Sequence, residues 1–285
     1  MSTKAEEWDI KIEPKSRMFD LRLGDVWHYR DLMVLFVRRD FVAQYKQTIL
    51  GPLWHFIQPM ITSIMFLLVF SKIAKIPTDG VDPIVFYMSG NVIWAYFSNS
   101  LTATSTTFTT NAGIFGKVYF PRLVLPISIV MSNMVKFGIQ FLLLMATMIF
   151  SHFAHGFNYY VTWLWIFLPV LVFMMAGLAM GLGIIISALT TKYRDFVVLI
   201  TFAVQLLMYL TPIIYPLSYL QGKSYGKWVA FNPLSNVVEA FKYCLLNQGS
   251  VTFGGMLYST VAMFVLLFVG ALIFTKVEKT FMDTV

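Results

Sequence analysis

The sequence predicts an all-α integral membrane protein. It expects six transmembrane helices, an N-terminal amphipathic interface helix ahead of them, and short re-entrant outer helices between spans 5 and 6. Three observations carry this. Hydrophobic residues make up 58% of the chain and charged residues 12%, against about 25% charged in an ordinary soluble domain. Charge is missing altogether from Ile84 to Gly116, Phe137 to Thr191, Phe196 to Gly222 and Tyr243 to Thr275, and a spanning helix needs roughly 20 mostly apolar residues. Runs such as Ile64-Met65-Phe66-Leu67-Leu68-Val69-Phe70 do not alternate, which argues against a β-barrel. In hydrocarbon the backbone must satisfy its own hydrogen bonds, and helices do so within one segment.

Residues 1–56 form a cytoplasmic N-terminal segment, and 57–285 the transmembrane domain. Asp25 to Ile49 reads as a helix lying in the membrane interface. Val34, Leu35, Val42, Tyr45 and Ile49 share one arc of it, with Asp40, Gln44 and Gln47 opposite. Arg38 falls within the apolar arc and can snorkel on its long stem. The amphipathicity is imperfect, because Leu32-Met33-Val34-Leu35-Phe36-Val37 is apolar on all sides. Gly51-Pro52 then breaks the helix. The spans fall near 57–73, 84–107, 124–150, 162–189, 196–215 and 256–276. Between the last two, Pro216 to Gly255 is too polar for two further spans and too apolar for a solvated loop. A pair of short helices entering the outer leaflet, broken at Asn232-Pro233, fits it, with a small external cap as the alternative. Glu239 and Lys242 stand three apart there and can neutralise one another.

Charge sets the orientation. Nine basic residues precede the first span (Lys4, Lys11, Lys15, Arg17, Arg22, Arg30, Arg38, Arg39 and Lys46), and Lys117, Arg122, Lys192, Arg194, Lys276 and Lys279 fall on the same side. The other side carries Lys72, Lys75, Lys223, Lys227 and Lys242. The positive-inside rule places both termini in the cytoplasm. The same distribution accounts for the net charge of +7 through contact with anionic lipid, not nucleic acid. No cleavable signal peptide is expected, since the first 50 residues are charged throughout. The single cysteine, Cys244, allows no internal disulfide and reads as a packing residue.

Several chemistries find no support. His152 and His155 have no carboxylate or thiol near them in sequence and read as an outer-loop coincidence, so no metal site is expected. Gly113-Ile-Phe-Gly116-Lys117 has the wrong spacing for a Walker A loop and lacks its Ser or Thr. A membrane-embedded glycosyl- or acyltransferase would need an acid, base or metal site at the membrane face. A channel would normally show charged rings or filter carbonyls.

What remains is polarity inside the membrane. Span 2 ends in Ser98, Asn99, Ser100, Thr102, Thr104, Ser105, Thr106, Thr107, Thr109 and Thr110. Any one of these can bond back to its own helix, but ten together favour contact with other helices or a wet cavity. In span 3, Asn133, Lys136 and Gln140 share a face. Two readings of Lys136 stand: a buried charge near the bilayer centre, or a residue snorkelling to the inner interface because the span starts late. Gly177 and Gly181 form a GxxxG pattern, followed by Gly183, for close helix packing within the bundle or, second, between subunits.

These features resemble the membrane subunits of ABC-2 type polysaccharide exporters, which move lipid-linked O-antigen, capsule or teichoic acid chains. The resemblance runs from Leu32 to the C-terminus. Its most specific piece is Arg39-Asp40…Tyr45-Lys46-Gln47…Leu50-Gly51…Trp54…Gln58-Pro59. Lys117-Val-Tyr-Phe-Pro121-Arg122, Tyr193-Arg194-Asp195, Thr211-Pro212-Ile-Ile-Tyr215-Pro216, Asn232-Pro233 and Lys276-Val-Glu-Lys-Thr-Phe-Met-Asp283 support it. The match is nearest to the O-antigen (lipopolysaccharide) branch. The resemblance implies a permease of the bacterial inner membrane that pairs with a second copy of itself and docks two copies of a separate ABC ATPase. That ATPase binds ATP and Mg, so this chain needs no cofactor and is not itself an enzyme. The resemblance assigns Phe115, Gly116, Lys117, Tyr119, Phe120, Pro121 and Arg122, with Tyr193, Arg194 and Asp195, to coupling with the ATPase. It also rests the interface helix, with Arg38, Arg39, Asp40, Tyr45 and Lys46, on that partner. A sugar path lined by hydroxyls and aromatics is expected to draw on Asn133, Lys136 and Gln140, and in the outer half on Trp94, Tyr96, Phe97, Tyr209 and Tyr215. For each aromatic, an interfacial belt is the alternative use. A permease for a smaller substrate, a drug or haem, is the nearest other reading, and the N-terminal motif weighs against it.

Overall fold

The structure is a computed structural model that describes residues 23–46, 51–115, 120–193, 195–220, 222–223 and 226–282. Among the described residues every regular element is helical. Helices α1 (Leu23–His28) and α2 (Arg30–Tyr45) precede α3 (Trp54–Phe66), which continues as a π-helical stretch to Ile73. Helix α4 (Pro83–Ser105) is followed by two short helical turns, α5 (Thr107–Thr110) and α6 (Ala112–Phe115). Next come α7 (Val124–His155), α8 (Leu168–Lys192) with a 3-10 lead-in from Trp163, and α9 (Phe196–Tyr209). Helices α10 (Gly226–Phe231), α11 (Pro233–Leu246) and α12 (Phe253–Met282) complete the order.

Among the described residues, four stretches are long and apolar enough to cross a membrane: Trp54–Ile73, Val124–His155, Trp163–Lys192 and Phe253–Lys276. Helix α4 has 23 residues, about 35 Å at 1.5 Å per residue, but its hydroxyls and amides lower its hydropathy. Helix α9 is apolar but has only 14 residues. The expected fifth span therefore ends early. Residues 210–216 leave the helix because Pro212 and Pro216 lack an N–H and push the residues before them out of the helical region.

Local chemistry sets the other ends. Asp82 caps α4, accepting from the Ile84 N–H with Pro83 in the first turn, and Asn232 does the same for α11 with Leu234 and Pro233. Gly156, at φ +72°, closes α7 in the left-handed conformation.

Helix α4 is the hub, touching α3, α7, α8, α9 and α11. Gly177 and Gly181 let α12 lie against α8. A Cβ on Gly177 would come 2.6 Å from Met263, and one on Gly181 2.8 Å from the Leu266 backbone. Gly183 does the same for α4, where a Cβ would meet Thr104 at 2.6 Å. The GxxxG pattern is thus used inside the bundle.

A smaller apolar cluster closes one end. Met33 and Phe36 of α2 pack with Phe108, Phe120, Val124, Leu125, Ile184 and Phe274, so the first and last helices meet there. The opposite end collects the 74–82 and 156–162 connections and α10–α11. Helix α2 packs on the bundle through a face other than its apolar arc. Met33 and Phe36 point inward, while Val34, Leu35 and Val42 are exposed; Ile49 lies outside the described residues. The run 32–37 is apolar all round, so its periodicity could not choose a face, and the wall offered by Phe120 and Val124 chooses it. Glu239 and Lys242 stand near enough for their charges to interact. Both are buried, yet they do not pair directly: Lys242 Nζ donates to the Pro212 and Ile213 carbonyls, and Glu239 accepts from the Leu217 N–H.

Candidate functional site

At the end where the first and last helices meet, α2 and the segment before α7 are joined ring to ring. Phe36 and Phe120 have centroids 5.9 Å apart, and the Arg39 guanidinium lies 4.8 Å over the Phe36 ring. Arg39 also pairs with Asp40 at 2.7 Å, and Arg38 and Lys46 are exposed. The Tyr45 and Phe115 side chains, and residues Gly116, Lys117, Tyr119 and Arg194, lie outside what the structure describes. Of the remaining residues assigned to coupling, Phe120 and Arg122 are buried and Pro121 half-buried, while Tyr193 and Asp195 are exposed. Helix α5 packs on α8, and Thr190 of α8 donates to the Ser105 carbonyl at 2.7 Å. Helix α5 and the end of α8 are therefore neighbours.

Asn133 and Gln140 are buried against the bundle, and Asn133 donates to the Ile129 carbonyl of its own helix. Lys136 is half-buried on the flank of that face, within electrostatic reach of Asp40 on α2 and His55 at the start of α3. It stands 12 residues into a helix of 32, on the side where α2 packs against α7.

The hydroxyl-rich tail of α4 is largely turned on itself. Ser105, Thr106, Thr107 and Thr109 each donate to the carbonyl three residues earlier, and the helix loses its regular form at Thr106. Sequence reading missed what that tail leaves open. From Val85 to Ser105 every residue is buried except Ala95, Ser98, Asn99, Thr102 and Ala103. These positions recur at helical spacing and, with half-buried Thr106, form one narrow stripe of small and polar side chains. The stripe points away from the packed bundle and runs toward the end that holds α2. The signal was in the sequence, as small or polar residues at i, i+3, i+4, i+7 and i+8, but the surrounding hydroxyls hid it.

The expected aromatic lining divides in two. Trp94, Tyr96 and Phe97 are 5%, 2% and 0% exposed, and Tyr96 packs on Phe137 of α7. They belong to the interior of this single bundle. Tyr209 and Tyr215 lie on the surface of the opposite end, where with Leu210, Tyr219, Leu220, Trp228 and Val229 they line a groove of about 410 Å3. The Tyr215 hydroxyl donates to the Tyr209 carbonyl, and the Lys223 ammonium lies 3.7 Å over the Tyr219 ring.

At the same end Asp82 gathers a network. Ser151 donates to its Oδ2 at 2.5 Å, His155 Nδ1 lies 2.7 Å from the same oxygen, and Tyr159 bonds Ser151 at 3.1 Å. Burial raises the Tyr159 phenol above its ordinary value, with the Ser151 bond pulling the other way. His152 bonds the Phe157 carbonyl. The two histidines thus tie down a connection.

Comparison with known proteins follows this geometry. The ABC-2 type transporter family matches residues 32–246. Two proteins of Klebsiella pneumoniae named O-antigen export system permease protein RfbA are 26% and 27% identical to this chain, over 253 and 255 residues. Each match covers 89% of the chain and 94% of the relative. A protein of the same name from Myxococcus xanthus is 26% identical over 220 residues, 76% of this chain and 81% of its own. With most of its length matched, the chain belongs to the ABC-2 type transporter family of membrane proteins.

Proposed function

We propose that this chain is the permease subunit of an ABC transporter that exports a lipid-linked polysaccharide, O-antigen being the best fit, across the bacterial inner membrane. It works as a homodimer with two copies of a separate ATPase, which binds the ATP and Mg. Family membership and the names of the relatives support the class. The observation that carries the reading is α4: a helix of membrane-crossing length, wrapped by five others, whose one open strip is Ala95, Ser98, Asn99, Thr102, Ala103 and Thr106. Lipid offers such groups no hydrogen-bonding partner. A sugar chain does, and its apolar ring faces can rest on small side chains. An uncharged strip suits a polymer that must slide, since a fixed charge would hold it.

The same packing supports a reading of six spans. Helix α4 tolerates its polar residues because protein surrounds it, and α9 with residues 210–217 completes a crossing that its helix alone leaves short. The excess of basic residues near both termini supports N-in, C-in. The shared cluster of α2 and α12 agrees with it. Nucleotide energy then enters where α2, Phe108 and Phe120 pack together, is passed to α4 and α7, and opens the strip for the polymer, its lipid end first.

The test uses the permease reconstituted with its ATPase. Asn99→Leu is expected to lower polymer export by about tenfold, the effect of one hydrogen bond to the moving sugar, with ATP hydrolysis retained. Lys136→Leu is expected to lower both. Export at the reference rate in Asn99→Leu removes the strip from the path, and unchanged export and hydrolysis in Lys136→Leu remove the α7 face.

A further inference from the structure

Four polar side chains from α11 and the residue that caps it reach the break after α9. The last carbonyls of a helix have no partner within it and carry the negative end of its dipole. In α9 they are met locally, by the Leu210 N–H on Leu206 and Met208, the Thr211 hydroxyl on Leu207 and the Tyr215 hydroxyl on Tyr209, which leaves the carbonyls of the break itself to α11. Asn232 Nδ2 donates to the Leu210 carbonyl at 3.2 Å and to Thr211 Oγ1 at 3.1 Å, and Ser235 Oγ reaches Leu210 as well. Lys242 Nζ donates to the Pro212 carbonyl at 2.6 Å and the Ile213 carbonyl at 3.2 Å. Glu239 accepts from the Leu217 N–H at 3.4 Å, beyond the turn.

Lys242 is the centre of this grip. It is 1% exposed, and its ammonium sits 3.7 Å over the Phe86 ring of α4. The space exists because residue 90 is glycine: a Cβ there would lie 3.0 Å from the Ile213 carbonyl oxygen and 3.1 Å from Lys242 Cε. A buried ammonium with no carboxylate in contact is costly unless strong acceptors surround it. The acceptors here are the Pro212 and Ile213 carbonyls of the turn after α9. On the other side of the same turn stand Tyr209, Tyr215 and Tyr219 of the aromatic groove.

We propose that Lys242 is a positioning residue of the outer mouth. Its ammonium holds the 212–213 carbonyls, fixes the course of the turn that the prolines open after α9, and so sets the tyrosine groove in place for the polymer. The role in transport rests on the function proposed above; the grip itself does not.

The experiment places a cysteine at Ile214, which is 2% exposed in this turn, in a full-length Cys244→Ala permease purified with its ATPase. The rate of modification by a charged maleimide is then measured. Lys242→Met keeps the stem and removes only the cation. It is expected to raise the rate at least about tenfold, the factor that corresponds to 1.4 kcal/mol in an opening equilibrium. Lys242→Arg, which returns a cation, is expected to label more slowly than Lys242→Met. A purely space-filling lysine predicts the reference rate in Lys242→Met, and that result, or an arginine variant as reactive as the methionine one, overturns the proposal. If Lys242→Met does not accumulate, Asn232→Ala, which removes the bonds to Leu210 and Thr211, is read in the same way, and an unchanged rate overturns it. Polymer export is measured alongside without the added cysteine. Faster labelling beside undiminished export overturns the role in transport while the break stays gripped.

Discussion

Gly181 shows how far one residue can set the distance between long helices. Its missing side chain lets Leu266 and Leu267 of α12 come within a distance that a Cβ would close to 2.8–2.9 Å, and a Cβ added at Gly270 would in turn lie 2.9 Å from the Gly181 carbonyl oxygen. These neighbours are backbone, so they cannot swing aside. Gly181→Val is expected to destabilise the fold by at least about 1–3 kcal/mol, the usual cost of overpacking, read as a lower unfolding temperature in detergent. Gly138→Ala is the control. Nothing lies within 4 Å of a Cβ there, and a change within about 0.5 kcal/mol is expected. The glycine spacing was legible in the sequence, because small residues every fourth position have few uses in a membrane helix. The partner was not, since 177–183 says nothing of which helix arrives. Asp82 was harder still: its partners Ser151 and His155 lie 69 and 73 residues away, and no local pattern joins them.

Elements whose surroundings are one-sided were the easiest to read, and those with surroundings on every side the hardest. The ends of α7 and α8 follow from charge and glycine at their borders. The break at Asn232-Pro233 follows from a cap and a proline side by side. Helix α2 resisted, because Leu32 to Val37 is apolar on every face and only Phe120 and Val124, far along the chain, decide which side turns in. The open strip of α4 resisted for the converse reason, since ten hydroxyls and amides obscured the few that stay unburied. The α2 contact yields a prediction at this scale. Phe36 and Phe120 are where the first helix and the segment before α7 touch, and both rings are buried. Phe120→Ala removes that contact and leaves a cavity. If the ATPase stroke enters through this joint, the variant is expected to keep hydrolysing ATP in complex with its partner while the amount of polymer moved per ATP falls severalfold. Equal losses in hydrolysis and export would mean that Phe120 holds the fold and passes no motion.

For the molecule as a whole, the informative feature is a helix that the bundle fails to cover. Helix α9 buries only Ile200 and Val204 of its 14 residues. Thr201 spends its hydroxyl on the Val197 carbonyl of its own helix, but Gln205 is exposed in the middle of an otherwise apolar stretch. An amide has two donors and an acceptor to satisfy, and hydrocarbon satisfies none of them. Helix α3 is similarly bare, with Gln58 exposed on it. Two helices carrying amides on open faces describe a surface that another protein helix covers, and a second copy of the chain brings the same amides in matching positions across a two-fold axis. The prediction is that the chain purifies as a pair. Gln205→Cys in a Cys244→Ala background is then expected to cross-link to itself under mild oxidation in native membranes, while Phe264→Cys, on the exposed face of α12, does not. Cross-linking at 264 without cross-linking at 205 would put the contact on α12, leave the α9 amide facing lipid or the polymer path, and require the strip on α4 to be completed by a different arrangement of copies.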